Sequence, residues 1–325
     1  MIFEKQILNI YKGMAFSRCD NNGTAYYFSS DDFSGLEKRR YELKSSLGHT
    51  LVGYIYSYPS PIEGRIVVFD HGFGGGHRSY MKEIELLCKH GYRVFAYDHT
   101  GCMESGGESA NGMTQSLVDL NDVINTIKKD DELGRLDISV VGHSWGGYSC
   151  LNITALHPDI SHVVVISGFV SVKLLVDSFF GGLLKGYRKA VMALERATSP
   201  DFVDYDATKT LAKTSARVLL IYSSNDTLCP QKPHFEALKN ALDGKAGVRL
   251  MLVQNKGHNP NYTEDAVKCL GAYLKEKKRL SKKKLLATAS QREQFVKAQD
   301  WNKMTEQDIN VWNEIFATLD GGNNG

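Results

Sequence analysis

The residues Gly142-His143-Ser144-Trp145-Gly146 place a serine between two glycines, each two positions away. That spacing lets a strand turn abruptly into a helix and holds the serine in a strained, exposed conformation. A serine hydroxyl is a poor nucleophile near neutral pH. It needs a base within hydrogen-bond reach, itself oriented by a carboxylate. Four histidines follow: His157, His162, His234 and His258. His157 falls at an expected helix end, His162 opens an expected strand, and His234 lies at a helix start. His258 alone stands on a loop directly after a late apolar run, Leu250-Met251-Leu252-Val253, where it can swing over Ser144. Asp226 follows the preceding run, which begins at Val218, so two adjacent strand ends would deliver acid and base to one place. Asp177, after the strand before that, is the alternative acid.

Acyl chemistry also needs donors aimed at a developing oxyanion, usually two backbone N–H groups. Trp145, the residue after the serine, would supply one. Phe73 would supply the other, from His71-Gly72-Phe73-Gly74, which follows the apolar run Ile66-Val67-Val68-Phe69. The same glycine run fails as a dinucleotide loop, because G-x-G-x-x-G is broken by His77, and no Lys-Ser or Lys-Thr follows for a phosphate loop. Neither HExxH nor a His/Cys cluster suggests a metal, and no cofactor is expected. Cys102 and Cys229 fall on loops near these residues, but no histidine is placed to activate them, which favours unreactive thiols.

Positioning such groups requires strands that end together. Apolar, β-branched runs recur with helical stretches between them, the alternation of a mostly parallel α/β sheet covered on both faces. Strands are predicted over 50–56, 65–70, 92–98, 137–142, 162–167, 217–223 and 248–254, the first an alternating edge strand paired with 40–44. Helices are predicted over 78–90, 113–130, 148–157, 233–242 and 265–278. Residues 173–215 separate two strands by far more than one helix and read as a short helical lid. Within it Phe179, Phe180, Leu183 and Leu184 would line an acyl pocket or pack on the sheet; the sequence weighs these equally.

The organisation that follows is an N-terminal extension over 1–40, a core over 41–172 and 216–278, the lid, and a helical tail over 279–325. Seven Lys or Arg between 275 and 284 read as a solvated helix face, with anionic-surface binding as the lesser reading. Thr305 and Asp308 can cap a helix whose Ile309, Trp312, Ile315, Phe316 and Leu319 share one face packing on the core.

A formal charge of +2 on 325 residues sets up no field for nucleic acid. Glu4 and Lys5 interrupt any secretory apolar run, no stretch suits a membrane span, and six scattered cysteines without CxxC pairs read as reduced, so a cytoplasmic location is expected. A homo-oligomer is compatible with the sequence.

Taken in order, HGFGGG, YDHTG, GHSWGG, NDTLCP and KGHN resemble the serine hydrolase branch of the α/β-hydrolase superfamily, especially esterases and lipases similar to monoacylglycerol lipase and cinnamoyl esterases. The resemblance covers roughly residues 40–275. It implies an α/β-hydrolase fold with Ser144 as nucleophile, Asp226 and His258 completing the triad, and the Phe73 and Trp145 amides as oxyanion hole. The implied activity is hydrolysis of a small-molecule carboxylic ester. The same machinery serves thioesters, amides and acyl transfer. A silent ligand-binding module is a lesser reading, and epoxide hydrolases and dehalogenases carry aspartate where Ser144 stands. Asp98-His99-Thr100-Gly101-Cys102-Met103-Glu104-Ser105 departs from the D-x-R-G-x-G-x-S usual in these relatives, lacking the arginine and second glycine.

Overall fold

A computed structural model of the chain describes residues 3–321; the Asn-Asn-Gly end lies outside them. The strands are β1 (Glu37–Lys44), β2 (Thr50–Ser57), β3 (Arg65–Asp70), β4 (Val94–Tyr97), β5 (Asp137–His143), β6 (His162–Ile166), β7 (Arg217–Ser223) and β8 (Val248–Val253). They form one sheet in the order β1-β2-β4-β3-β5-β6-β7-β8. β1 pairs antiparallel with β2 and β2 with β4, while all later pairs are parallel. The antiparallel edge and the continuous apolar runs behind it thus have the geometry their patterns imply. β1 is longer than 40–44, and β4 is shorter than 92–98.

The helices are α1 (Glu4–Ala15), α2 (Met81–Lys89), α3 (Gln115–Lys129), α4 (Trp145–Asn152), α5 (Val172–Phe179), α6 (Arg188–Thr198), α7 (Ala207–Lys213), α8 (Phe235–Ala241), α9 (Glu264–Lys282), α10 (Ala289–Lys297), α11 (Trp301–Met304) and α12 (Ile309–Leu319). One face of the sheet packs on a core holding Leu117, Leu120 and Ile124 of α3 with Val140 and Leu151. The other packs Ile84 and Leu87 of α2 and Trp312 and Ile315 of α12 against Val67, Val141 and Val164. The tail is therefore part of the second layer. Its cap is Asp308, which accepts the Asn310 amide at 2.9 Å, whereas the Thr305 hydroxyl donates to the Trp301 carbonyl. Ile309 is exposed: it is the first residue of α12, ahead of Val311, Trp312, Ile315 and Leu319, which are the apolar residues that bury.

The predicted lid folds as α5, a 3-10 turn over Gly182–Tyr187, α6 and α7. Among the described residues no helix is long and apolar enough to cross a membrane.

Register brings the loops together. Asp70 at the end of β3 lies opposite Gly142 of β5, and His143 lies opposite Ile166 of β6. Ser223 at the end of β7 lies opposite Val253 of β8. The segments that follow β3, β5, β7 and β8 consequently emerge on one edge, the C-terminal edge at which α/β sheets gather ligand-binding loops.

Candidate active site

Ser144 is the residue between β5 and α4, with φ 57° and ψ −109°, a conformation that L side chains rarely adopt. Its neighbours explain the glycines. A Cβ on Gly146 would overlap the Asp70 carbonyl, and one on Gly142 would overlap the Gly146 carbonyl, so strand, turn and helix can close only if both positions are bare. The hydroxyl is thereby held at the head of α4, whose Trp145 amide begins the helix.

His258 follows β8 and Asp226 follows β7, as expected. His258 Nδ1 lies 2.8 Å from Asp226 Oδ2, while Asp226 Oδ1 accepts the Leu228 and Cys229 amides at 2.8 and 3.0 Å. Burial opposes ionisation of Asp226, but the hydrogen bond from His258 and those from the two amides outweigh it, holding the carboxyl below its ordinary range. His258 Nε2 is buried and, among the described residues, without a hydrogen-bond partner. Asp177, the alternative acid, lies on α5 and is paired with Lys173 and Arg188 instead. Cys229 also approaches Asp226 and His258 closely enough for the three to resemble a metal cluster. Burial raises its thiol pKa well above normal, and both Asp226 oxygens are committed, so the donor set suits a hydrogen-bonded acid–base pair better than a cation.

Ser144, His258, Phe73 and Trp145 line one cavity of about 650 Å³. Among the described residues neither the Phe73 nor the Trp145 amide is engaged by another part of the chain. Phe179, Phe180 and Leu184 line the cavity too. Leu183 does not: it is fully exposed, since the 3-10 turn carries it to the outer side.

Three features had no signal in the motifs. His143, the variable residue before Ser144, donates from Nε2 to the His258 carbonyl at 2.7 Å and accepts at Nδ1 from the Tyr80 hydroxyl at 2.9 Å. Tyr80 in turn accepts the Gly72 amide at 3.1 Å. Burial, then the nearby His258, lowers the His143 pKa to about 3, so it stays neutral, and one hydrogen-bond chain joins the Phe73 loop, the Ser144 turn and the His258 loop. The His258 loop is further tied down by the Lys256 ammonium, which pairs with Asp308 of the tail, and by the Gly257 amide on Asn225 Oδ1 at 2.7 Å.

Beneath Gly72 lies a buried ionic group. His99 pairs with Asp70 and, at 3.2 Å, with Asp119, and its amide donates to His71 Nε2 at 3.0 Å. The opposite ring nitrogen of His71 lies 2.8 Å from the Gly72 carbonyl, which fixes its proton on Nδ1. Burial alone would discharge His99, yet the two carboxylates raise its pKa to about 10. The folded chain therefore keeps a proton that the unfolded chain releases near the ordinary value of 6.5. This contribution to stability is complete below pH 6.5 and is lost as pH climbs to about 10. The urea midpoint is expected to fall across that window, and His99→Asn is expected to flatten the fall; an equally steep fall in the variant would contradict the assignment.

The third feature is the N-terminal segment. Ile7, Ile10, Tyr11 and Met14 of α1 line the cavity. Beyond α1, Arg18 donates to the Met103, Ser105 and Gly107 carbonyls at 2.6, 3.0 and 2.7 Å. The loop after β4, which has no arginine of its own at Thr100, is thus held by one from the extension. Cys102 is fully buried in that loop, beside Cys19.

Residues 65–314 match the alpha/beta hydrolase fold family, and the chain belongs to it. It is 30% identical over 111 residues to epoxide hydrolase B of Mycobacterium tuberculosis, a stretch covering 34% of this chain and 30% of that protein. The chain spans about a third of the length of the first curated relatives it matches. Among solved structures, the esterase Pf2001 of Pyrococcus furiosus superposes with a TM-score of 0.58 at 18% identity, over 87% of this chain and 99% of that one. The acetyl xylan esterase of Paenibacillus sp. R4 superposes with a TM-score of 0.54 at 17% identity, over 79% and 88% of the two chains. At these identities the likeness is one of fold.

Proposed function

We propose that this protein is a serine hydrolase that cleaves a carboxylic ester with an apolar acyl group through an acyl-enzyme. The observation that carries the reading is the His258–Asp226 pair at 2.8 Å, whose free Nε2 belongs to the same cavity as Ser144. His258 Nε2 takes the proton of the Ser144 hydroxyl as Oγ attacks the carbonyl carbon. The resulting oxyanion accepts from the Phe73 and Trp145 amides, which have no competing partner among the described residues. His258 then returns the proton to the leaving alkoxide as the C–O bond breaks. Water, deprotonated by the same nitrogen, attacks the acyl carbon, and as the bond to Ser144 Oγ breaks His258 returns the proton to Oγ and the acid is released. Asp226 holds the imidazole with its proton on Nδ1, leaving Nε2 free to accept.

A serine at position 144 sets this site apart from the aspartate chemistry of epoxide opening, in which a carboxylate attacks directly. Purified protein offered p-nitrophenyl acetate, an acetyl thioester and an aminoacyl p-nitroanilide is expected to turn over the ester with the highest kcat/KM. Turnover of the thioester or the anilide with the ester untouched would move the assignment to that class.

A further inference from the structure

We infer that helix α1 forms one wall of a subsite for a straight, uncharged apolar chain, the far part of the ester whose carbonyl reaches Ser144. This rests on the reading above. Ile7, Ile10, Tyr11 and Met14 recur at helical spacing and turn one stripe of α1 toward the cavity. From Ile7 to Met14 the stripe runs two helical turns, ~10 Å. Leu175, Val176 and Phe179 of α5 face it across the same cavity.

The lining carries no Asp, Glu, Lys or Arg. Its other polar groups are already committed: Tyr11 to Glu195, Tyr80 to His143, and His143 to the His258 carbonyl. A charged or strongly polar ligand would lose its water there without replacement, whereas a chain with one polar group, placed at Ser144, would not. Ile10 and Met14 line the cavity yet are 60% and 64% exposed, an apolar surface that nothing among the described residues covers. Continuity with Ser144 and His258 identifies what would cover it.

The wall is fastened. The Tyr11 hydroxyl donates at 2.6 Å to Glu195 of α6, and the Tyr11 ring meets Phe180 edge-on at 6.0 Å. Glu195, fully buried, also accepts the Met113 amide at 3.0 Å, and the Met113 carbonyl accepts the Trp145 indole at 2.8 Å. One carboxylate therefore ties α1 and α6 to the segment that holds the residue after Ser144.

The test is the ratio of kcat/KM for p-nitrophenyl octanoate to that for the acetate, in the full chain and in Ile10→Asp and Met14→Asp, positions exposed enough to accept a charge without unfolding. Each variant is expected to lower the ratio at least about tenfold; an unchanged ratio in both overturns the inference. A second readout needs no catalysis. In Ser144→Ala, 1-decanol is expected to slow amide hydrogen exchange within α1, and no slowing there overturns the inference even if the parent hydrolyses esters. Slowing in α1 alongside a parent inert toward every ester would remove the proposed reaction and leave the subsite standing.

Discussion

Asp226→Asn is expected to lower kcat for a small ester about 10⁴-fold while leaving the fold intact. The size follows from the two oxygens of Asp226. Oδ1 accepts the Leu228 and Cys229 amides, and only an oxygen can accept, so the asparagine carbonyl takes that place. Its NH₂ group must then face His258 Nδ1, 2.8 Å away in the parent. A donor there forces the imidazole proton onto Nε2, and a protonated Nε2 cannot accept from Ser144. The change costs the base its function without removing a single heavy atom from the packing. Kinetics of the purified variant beside an unchanged circular dichroism spectrum would check it. A loss below tenfold would mean that Asp226 does not set the tautomer of His258.

Ser144→Ala should cost more, on the order of 10⁵- to 10⁶-fold in kcat, because the other nucleophile type in the lining, Cys229, is held as an uncharged thiol by burial. Alanine keeps the Cβ and the backbone at φ 57°, so the turn bears the same strain as before and stability should hardly change. Any apolar ligand should still bind, since the cavity wall is untouched. Residual turnover near the parent value would place the chemistry on another residue.

The site's main residues were legible because strand ends announce themselves. A parallel strand buried on both faces is a continuous apolar run, as in Val163 to Ile166 and Val218 to Ile221, and the residue that follows it lands on the shared edge. Ser144, Asp226 and His258 each stand there. Between the two acids the sequence favours Asp226 and keeps Asp177 as the alternative, since it also follows a strand; in the fold α5 carries Asp177 away into pairs with Lys173 and Arg188.

What stayed hidden depends on placement across long separations. The motifs give no sign of the apolar stripe of α1, and the cavity it meets is built from distant segments that run from Gly72 to His258. Glu195 follows Val191-Met192-Ala193-Leu194 on α6, where nothing in the local pattern marks a carboxylate for burial, and only the arrival of Tyr11, Met113 and Thr114 makes its burial tolerable. His99 has the same character: its two carboxylates come from β3 and α3, at no recognisable spacing. Leu183 and Ile309 show the converse error, apolar residues assigned to a packed face and found exposed at an element's edge, where periodicity gives no information about how far the covering layer extends.

The central claim is that Ser144 is the group that becomes acylated. The most direct measurement is the mass of the intact folded protein after brief treatment with a fluorophosphonate, followed by peptide mapping. A single adduct on Ser144, lost in Ser144→Ala and strongly slowed in Asp226→Asn, is the predicted result. Folded protein that takes no label, or takes it at another residue, would contradict the account.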